Sequence, residues 1–408
     1  MRANRKAWVV AVEMGYGHLR AARPLASLAY QGKLTTADLY DGIPKNDRLI
    51  WEESTKLYHA ISRLEEKGVF GALAFKIFDY FQRVDDVGGG KSKPTFQLKQ
   101  GYKLIRKGWG RDLIEKLNKN PLPLIATFFT IGHMAEYWGY RGPVYVLVTD
   151  ADVSRAWAPI NPATSRLVYL APTARAKERL ASYGVNPKNI FITGFPLPRE
   201  LLGPSSKTAK KNLERRLKIL GERGGRPTAV TFAIGGAGAQ SKIGLEIIES
   251  LAPLIRKGAI SLFLIAGTHS KLALKFYNQA EKSGLGEFLN KGISVIQNET
   301  KEEYFKVFNE TLAKTDILWT KPSELSFYAG LGIPIIMAPP LGAHEEKNRE
   351  WLTEVGAGVP EEEPREAGRW LPEMIRNGRL AAAARAGFEK IEKNGVENIS
   401  KIVFSKKT

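Results

Sequence analysis

The polar residues able to do chemistry in this chain sit beside glycine turns. In MGYGHLRAA, Gly15 and Gly17 permit a tight turn, and His18 stands where the next helix should begin. Backbone N–H groups at a helix start can meet a negative group, and a histidine there can take a proton from a hydroxyl or hold a phosphate. It can equally be a capping or packing residue. In YVLVTDADVSRAW, Asp150 follows an apolar run. It can orient His18, act as the base itself, or simply cap the next turn. Arg155 and Trp157 nearby can bind an anionic or sugar-like group, or be surface and core.

AIGGAGAQSK places Gly235, Gly236 and Gly238 between a strand and a helix, where backbone N–H groups can cradle a diphosphate, and Gln240 adds a side-chain donor. The spacing is neither a P-loop nor a dinucleotide fingerprint, and a packing turn explains it as well. In TKPSELSFYAGLGIPIIMAPPLGAHEEKN, Lys321, Ser323 and Glu324 lie at a helix start. After a buried strand, a polar loop closes on His344, Glu345, Glu346 and Asn348, groups that suit a hydroxyl-rich ligand. Ser323 and Glu324 can also merely cap their helix. The five histidines are scattered and no metal site is expected. With no cysteine, disulfides, thiolate ligands and a cysteine nucleophile are excluded, which suits a reducing cytoplasm.

The elements that must position these residues alternate in a βαβ pattern. Apolar runs such as AWVVAV, LIATFF, PVYVLVT, RLVYLAP and NIFITG read as strands in the first half, with a helix through RAARPLASLAY. A polar, basic stretch near residue 205 marks a boundary, after which TAVTFA, ISLFLIAG, ISVIQ, DILWT and PIIMAP restart the pattern. At 408 residues the chain is expected to form two α/β, Rossmann-like doubly wound domains facing a central cleft. They are placed at 1–204 and 205–375, with a helical tail at 376–408 packing back on the first. Ligands in such sheets bind outside the carboxyl ends of the strands.

The formal net charge is +19, which calls for an anionic partner: nucleic acid, an anionic membrane surface or phosphorylated substrates. Residues 91–119 hold nine Lys or Arg, interleaved with Phe96, Tyr102 and Trp109, and residues 207–226 hold eight more. A solvated surface is the plainer explanation of both. No signal peptide or membrane span is visible, so a cytoplasmic protein, soluble or peripheral, is expected.

Taken in order, these motifs resemble those of the GT-B glycosyltransferases of family 28 type, which include monogalactosyldiacylglycerol synthase and the peptidoglycan N-acetylglucosaminyltransferase. The residues carrying the resemblance are GYGHLRAA, VLVTDADVSRAW, RLVYLAPTARAKERLASYGVNPKNIFITGFPLPREL, TFAIGGAGAQ, LIAGTHSKL, KTDILWTKPSE and GIPIIMAPPLGAHEEKNREWLTEVGAG. It covers most of the chain and is weakest over 45–120.

The resemblance implies transfer of a sugar from a nucleotide diphosphate-sugar, a UDP-sugar, to a hydroxyl acceptor, often a lipid at the inner face of a membrane. It implies no cofactor and no essential metal, and it favours inversion at the sugar. His18 and Asp150 then become candidates for the base, with Gly15, Gly17 and Arg155 on the acceptor side. Gly235, Gly236, Gly238 and Gln240 match the donor-phosphate loop. Gly267, Thr268, Lys321, Ser323 and Glu324 fall with the donor, and His344, Glu345 and Asn348 near its sugar. The basic stretch 91–119 would lie on anionic headgroups.

The chain also departs from the pattern. Phe327 stands where many members carry a ribose-binding Glu, His344 replaces a Gln, and Arg155 replaces a histidine. An altered donor, a nucleotide-sugar 2-epimerase and an inactive chain therefore stay open. A nucleic-acid-binding protein is the reading from charge alone, and no recognised nucleic-acid module supports it.

Overall fold

The computed structural model describes residues 5–64, 93–221, 225–233 and 240–405, with side chains over the same ranges except 57–64. The chain divides into two units. One comprises Met1–Leu197, Gly342–Asn348 and Asn394–Thr408; the other comprises Pro198–Leu341 and Arg349–Lys393.

The first unit is built on a parallel sheet of β1 (Trp8–Ala11), β2 (Thr35–Thr36), β3 (Leu124–Ala126), β4 (Val144–Leu147), β5 (Val168–Ala171) and β6 (Ile190–Ile192), in the order β2-β1-β3-β4-β5-β6. The second has β7 (Thr228–Ala233), β8 (Ile260–Gly267), β9 (Ile293–Gln297), β10 (Ile317–Thr320), β11 (Ile335–Met337) and β12 (Gly358–Pro360), in the order β12-β11-β10-β7-β8-β9. Every pairing is parallel. Strands such as VYVL and TAVTFA are buried along their whole length, as sheets covered on both faces require. Strand order reverses between β1 and β3 in one unit and between β7 and β10 in the other. Ligands gather at such switch points, beyond the carboxyl edge.

All ten expected strands are present; TAVTFA, ISLFLIAG and ISVIQ have their full length, and the other seven are trimmed by one to three residues at an end. β2 and β12 were not legible, because two or three residues carry no periodicity. The helix expected through RAARPLASLAY stops at Ala22, and a 3-10 turn, Arg23–Leu28, follows with Pro24 in its first positions. Proline offers no N–H to the preceding turn, so the α pattern cannot run through it.

The two basic stretches divide between structure and surface. In the second, Arg216 is buried and donates to the carbonyls of Thr315, Leu331 and Leu312, and loss of solvent pulls its pKa down to about 9. Arg226 pairs with the buried Asp316 at 2.8 Å. In the first, Tyr102 and Trp109 belong to the core, and of the three aromatics expected at a membrane only Phe96 is exposed. Around it on the helix Phe96–Arg106, Lys99, Lys103 and Arg106 are exposed at helical spacing. Among the described residues no helix is long and apolar enough to cross a membrane.

One buried acid of the second unit sets a pH dependence. Glu361 follows β12 and accepts from Trp319 Nε1 at 2.6 Å, and burial pushes its pKa up to about 7 from an ordinary 4.5. The folded state thus holds this proton more tightly than the unfolded chain. The associated stability is fully present below about pH 4.5 and is lost as pH rises to about 7. The loss is about 1–3 kcal/mol for a partly buried group shifted this far. Glu361→Gln should raise the urea midpoint at pH 8 and flatten its change between pH 5 and pH 8.

Candidate active site

In the first unit the sheet's carboxyl edge assembles the expected residues one strand at a time. β1 leads into a turn in which Gly15 takes φ 78°, a left-handed conformation that a side chain would disfavour. His18 then lies in the first turn of the short helix Gly17–Ala22. Its Nδ1 donates to the Thr127 carbonyl at 2.7 Å, and its ring meets the edge of Phe128 at 4.8 Å. Thr127 directly follows β3, so this bond spans the switch point. A carbonyl can only accept, so Nδ1 carries the proton. In the neutral ring Nε2 is then the basic nitrogen.

Asp150 closes the loop after β4, two strands from β1 and therefore about 10 Å across the sheet. Its Oδ1 accepts from Asn348 Nδ2 at 3.0 Å, and the Thr149 hydroxyl lies 3.5 Å from Oδ2. Asn348 Oδ1 in turn accepts from the Ala151 N–H at 2.7 Å. The residues expected as a polar loop are instead the first turn of the helix Ala343–Val355, because Glu345, Asn348 and Leu352 share one buried face at helical spacing. Glu345 and Asn348 are 1% and 0% exposed, while His344 is partly exposed, with Nε2 3.8 Å from Glu345 Oε1.

Two residues that sequence reasoning missed hold this loop. Asp152 is buried and takes a two-pronged contact from Arg179, both bonds 2.8 Å, while also accepting from the Val153 N–H. Thr173 donates to the Ala151 carbonyl at 2.6 Å. Asp150 and Asp152 form an Asp-x-Asp spacing, a pattern that the expectation of no metal motif overlooked. Asp152 is neutralised by Arg179, so the two carboxylates do not converge as a cation site. No group of three metal-ligating side chains occurs among the described residues. Arg155 also corrects an expectation. It is 1% exposed and donates to the carbonyls of Ala158 and Pro159, so it holds the backbone rather than an anion. His133 is a core ring whose pKa burial lowers to about 3.

In the second unit, Gly235, Gly236 and Gly238 lie outside the described residues. Gln240 sits just beyond them at φ 69°, and its Nε2 donates to the Pro339 carbonyl at 2.7 Å, which anchors the end of the glycine loop to the segment after β11. Across this switch point the Thr320 hydroxyl donates to the Ala233 carbonyl at 2.9 Å. Gly267, at φ 64°, ends β8, and Thr268 follows it. Lys321, Ser323 and Glu324 follow β10, with Lys321 buried and Ser323 at the start of the 3-10 helix Glu324–Leu331. Gly332, at φ 71°, ends that helix. Phe327 is buried against Trp351 with ring centres 5.0 Å apart, so the position where the resemblance expects a ribose-binding Glu is a packing site here.

A family profile described as "Domain of unknown function (DUF6938)" matches residues 185–290 and 274–402, more than half of the chain. The chain belongs to this family. Outside the family profile, the processive diacylglycerol beta-glucosyltransferase of Bacillus subtilis is 23% identical over 373 residues, covering 88% of this chain and 84% of the relative. Its counterpart in Bacillus pumilus is 24% identical over 372 residues, with the same coverage. Among solved structures, the S. aureus MnaA–UDP co-structure superposes with a TM-score of 0.50 at 15% identity, covering 75% of this chain and 80% of that one. The DUF6938 chain thus has the GT-B pair of Rossmann-like domains, and its relatives agree with the resemblance to glycosyltransferases of family 28 type.

Proposed function

We propose that this protein is a metal-independent GT-B glycosyltransferase that moves a sugar from a UDP-sugar to the hydroxyl of a glycerolipid. The observation that carries the reading is the His18–Thr127 bond, which presents a basic nitrogen at the carboxyl edge of the first sheet. The likeness to diacylglycerol glucosyltransferases over most of both chains supports the substrate class.

An acceptor lying over the end of β3 is flanked by His18 and Asp150. Its hydroxyl oxygen bonds to the anomeric carbon, and its proton passes to His18 Nε2. The bond from that carbon to the diphosphate breaks, and UDP keeps the electron pair. Asp150 orients the attacking hydroxyl. The residues assigned to the donor follow strands of the second unit. The Lys321 ammonium, just beyond β10, offsets the growing charge on the leaving diphosphate, the largest contribution in transfers of this kind. Thr268 and Ser323 add hydroxyl donors, and Glu324, partly exposed, takes the ribose diol that Phe327 cannot.

The cationic stripe Lys99, Lys103 and Arg106, with Phe96 at its end, meets anionic headgroups, each cation contributing about 1 kcal/mol near such a surface. A groove of about 620 Å³ opens beside it, with a mixed lining: apolar at Leu49, Ile50 and Leu104, charged at Asp47, Lys107 and Asp112. Trp109 packs against Trp51 with ring centres 4.7 Å apart, Trp51 lies against Phe128, and Phe128 against His18, so a run of packed aromatic rings joins the groove wall to the base.

The test uses phosphatidylcholine vesicles carrying diacylglycerol, with and without phosphatidylglycerol, supplied in turn with UDP-glucose, UDP-galactose and UDP-N-acetylglucosamine. One donor should give hexosyl-diacylglycerol, faster on the anionic vesicles. No glycolipid from any donor would overturn the reading, and 2-epimerisation of UDP-N-acetylglucosamine without lipid would replace it with the epimerase alternative.

A further inference from the structure

We infer that Asn348 is a positioning residue for Asp150 rather than a contact to the donor sugar. Its side chain is fully buried, and each end of its amide has a partner on the loop after β4. An N–H can be met only by an oxygen, so the bond from Ala151 fixes which end is Oδ1. The NH2 end must then face the Asp150 carboxylate. A flipped amide would set donor against donor at Ala151 and oxygen against oxygen at Asp150.

The same loop is fastened on its other side by Thr173 and by the Asp152–Arg179 pair, so Asn348 bridges to a fixed backbone. The result is a carboxylate with one oxygen committed. Oδ1 is held, and Oδ2, whose contact is the Thr149 hydroxyl at 3.5 Å, is the oxygen turned to an incoming hydroxyl. A charge-assisted bond of this kind restricts the rotation of a short side chain, and holding a reacting group in its productive orientation lowers the barrier. The role given to Asp150 rests on the proposed function; the bond between the two residues does not.

Two measurements on the full chain test the assignment. In steady-state transfer, Asn348→Ala should lower kcat about 100-fold and raise the KM of the acceptor, with the KM of the UDP-sugar unchanged. A raised donor KM with kcat intact would mark Asn348 as a sugar contact and overturn the inference. In a thermal cycle, Asp150→Ala and Asn348→Ala should each lower Tm by about 2–4 °C, and the double variant by no more than the larger of the two. Strictly additive losses would overturn it as well. If the unaltered protein transfers no sugar, the proposed function fails, and the thermal cycle alone still decides the pair.

Discussion

Alanine at His18 is expected to slow sugar transfer about 10²–10⁴-fold, the usual contribution of a positioned base. The loss should fall on kcat, because the acceptor hydroxyl would have to surrender its proton to water. UDP should bind as before, since the groups assigned to it belong to the second unit. Thermal-shift titration with UDP separates the two effects: an unchanged UDP response beside a collapsed kcat is the expected pair of results. Loss of the UDP response would mean that His18 supports donor binding, and near-normal kcat would remove it from the chemistry. The substitution also deletes the bond to the Thr127 carbonyl, so a small drop in Tm accompanies it.

The second large effect concerns stability. Arg179→Ala should cost about 3–5 kcal/mol in urea unfolding, because it leaves the Asp152 carboxylate buried without its cation. Removing both partners should cost less than the sum of the single losses, since no stranded charge remains. A surface pair would show neither result, as exposed ion pairs contribute about 0–1 kcal/mol. Equal, small losses in all three variants would show that water reaches Asp152 and that the loop after β4 is held by Thr173 and Asn348 alone.

Much of the fold could be read from the chain because parallel strands are continuous apolar runs bounded by glycine, proline and aspartate. Runs such as VYVL and SLFLIAG cannot be mistaken for amphipathic surface. β2 and β12 escaped because edge strands of two or three residues hold too few side chains for a pattern to repeat. The site was legible in part. His18 and Asp150 stand directly after strands, and that placement alone put them at the carboxyl edge. Asn348 was singled out as well, but its pairing with Asp150 was not legible. Asn348 lies 198 residues from Asp150, and a single buried amide carries no local signature. Arg216 sits in a basic, helical stretch that reads as a solvated face, and only the fold turns it inward. Phe327 shows the converse: the position was identified from sequence, but its environment is a packing contact with Trp351.

The first unit is closed by residues far along the chain. Asn398 donates to the Thr193 carbonyl, and Gly395 sits so close to the Phe195 carbonyl that no β-carbon fits there. A fragment ending at Leu197 would therefore lack one of its own walls. At about 5–20 residues per second, ribosomal synthesis needs roughly 10–40 s to pass from Leu197 to the closing helix Gly395–Val403. During that interval the nascent first sheet waits with an open flank, a natural target for a chaperone, while the second unit can already have folded.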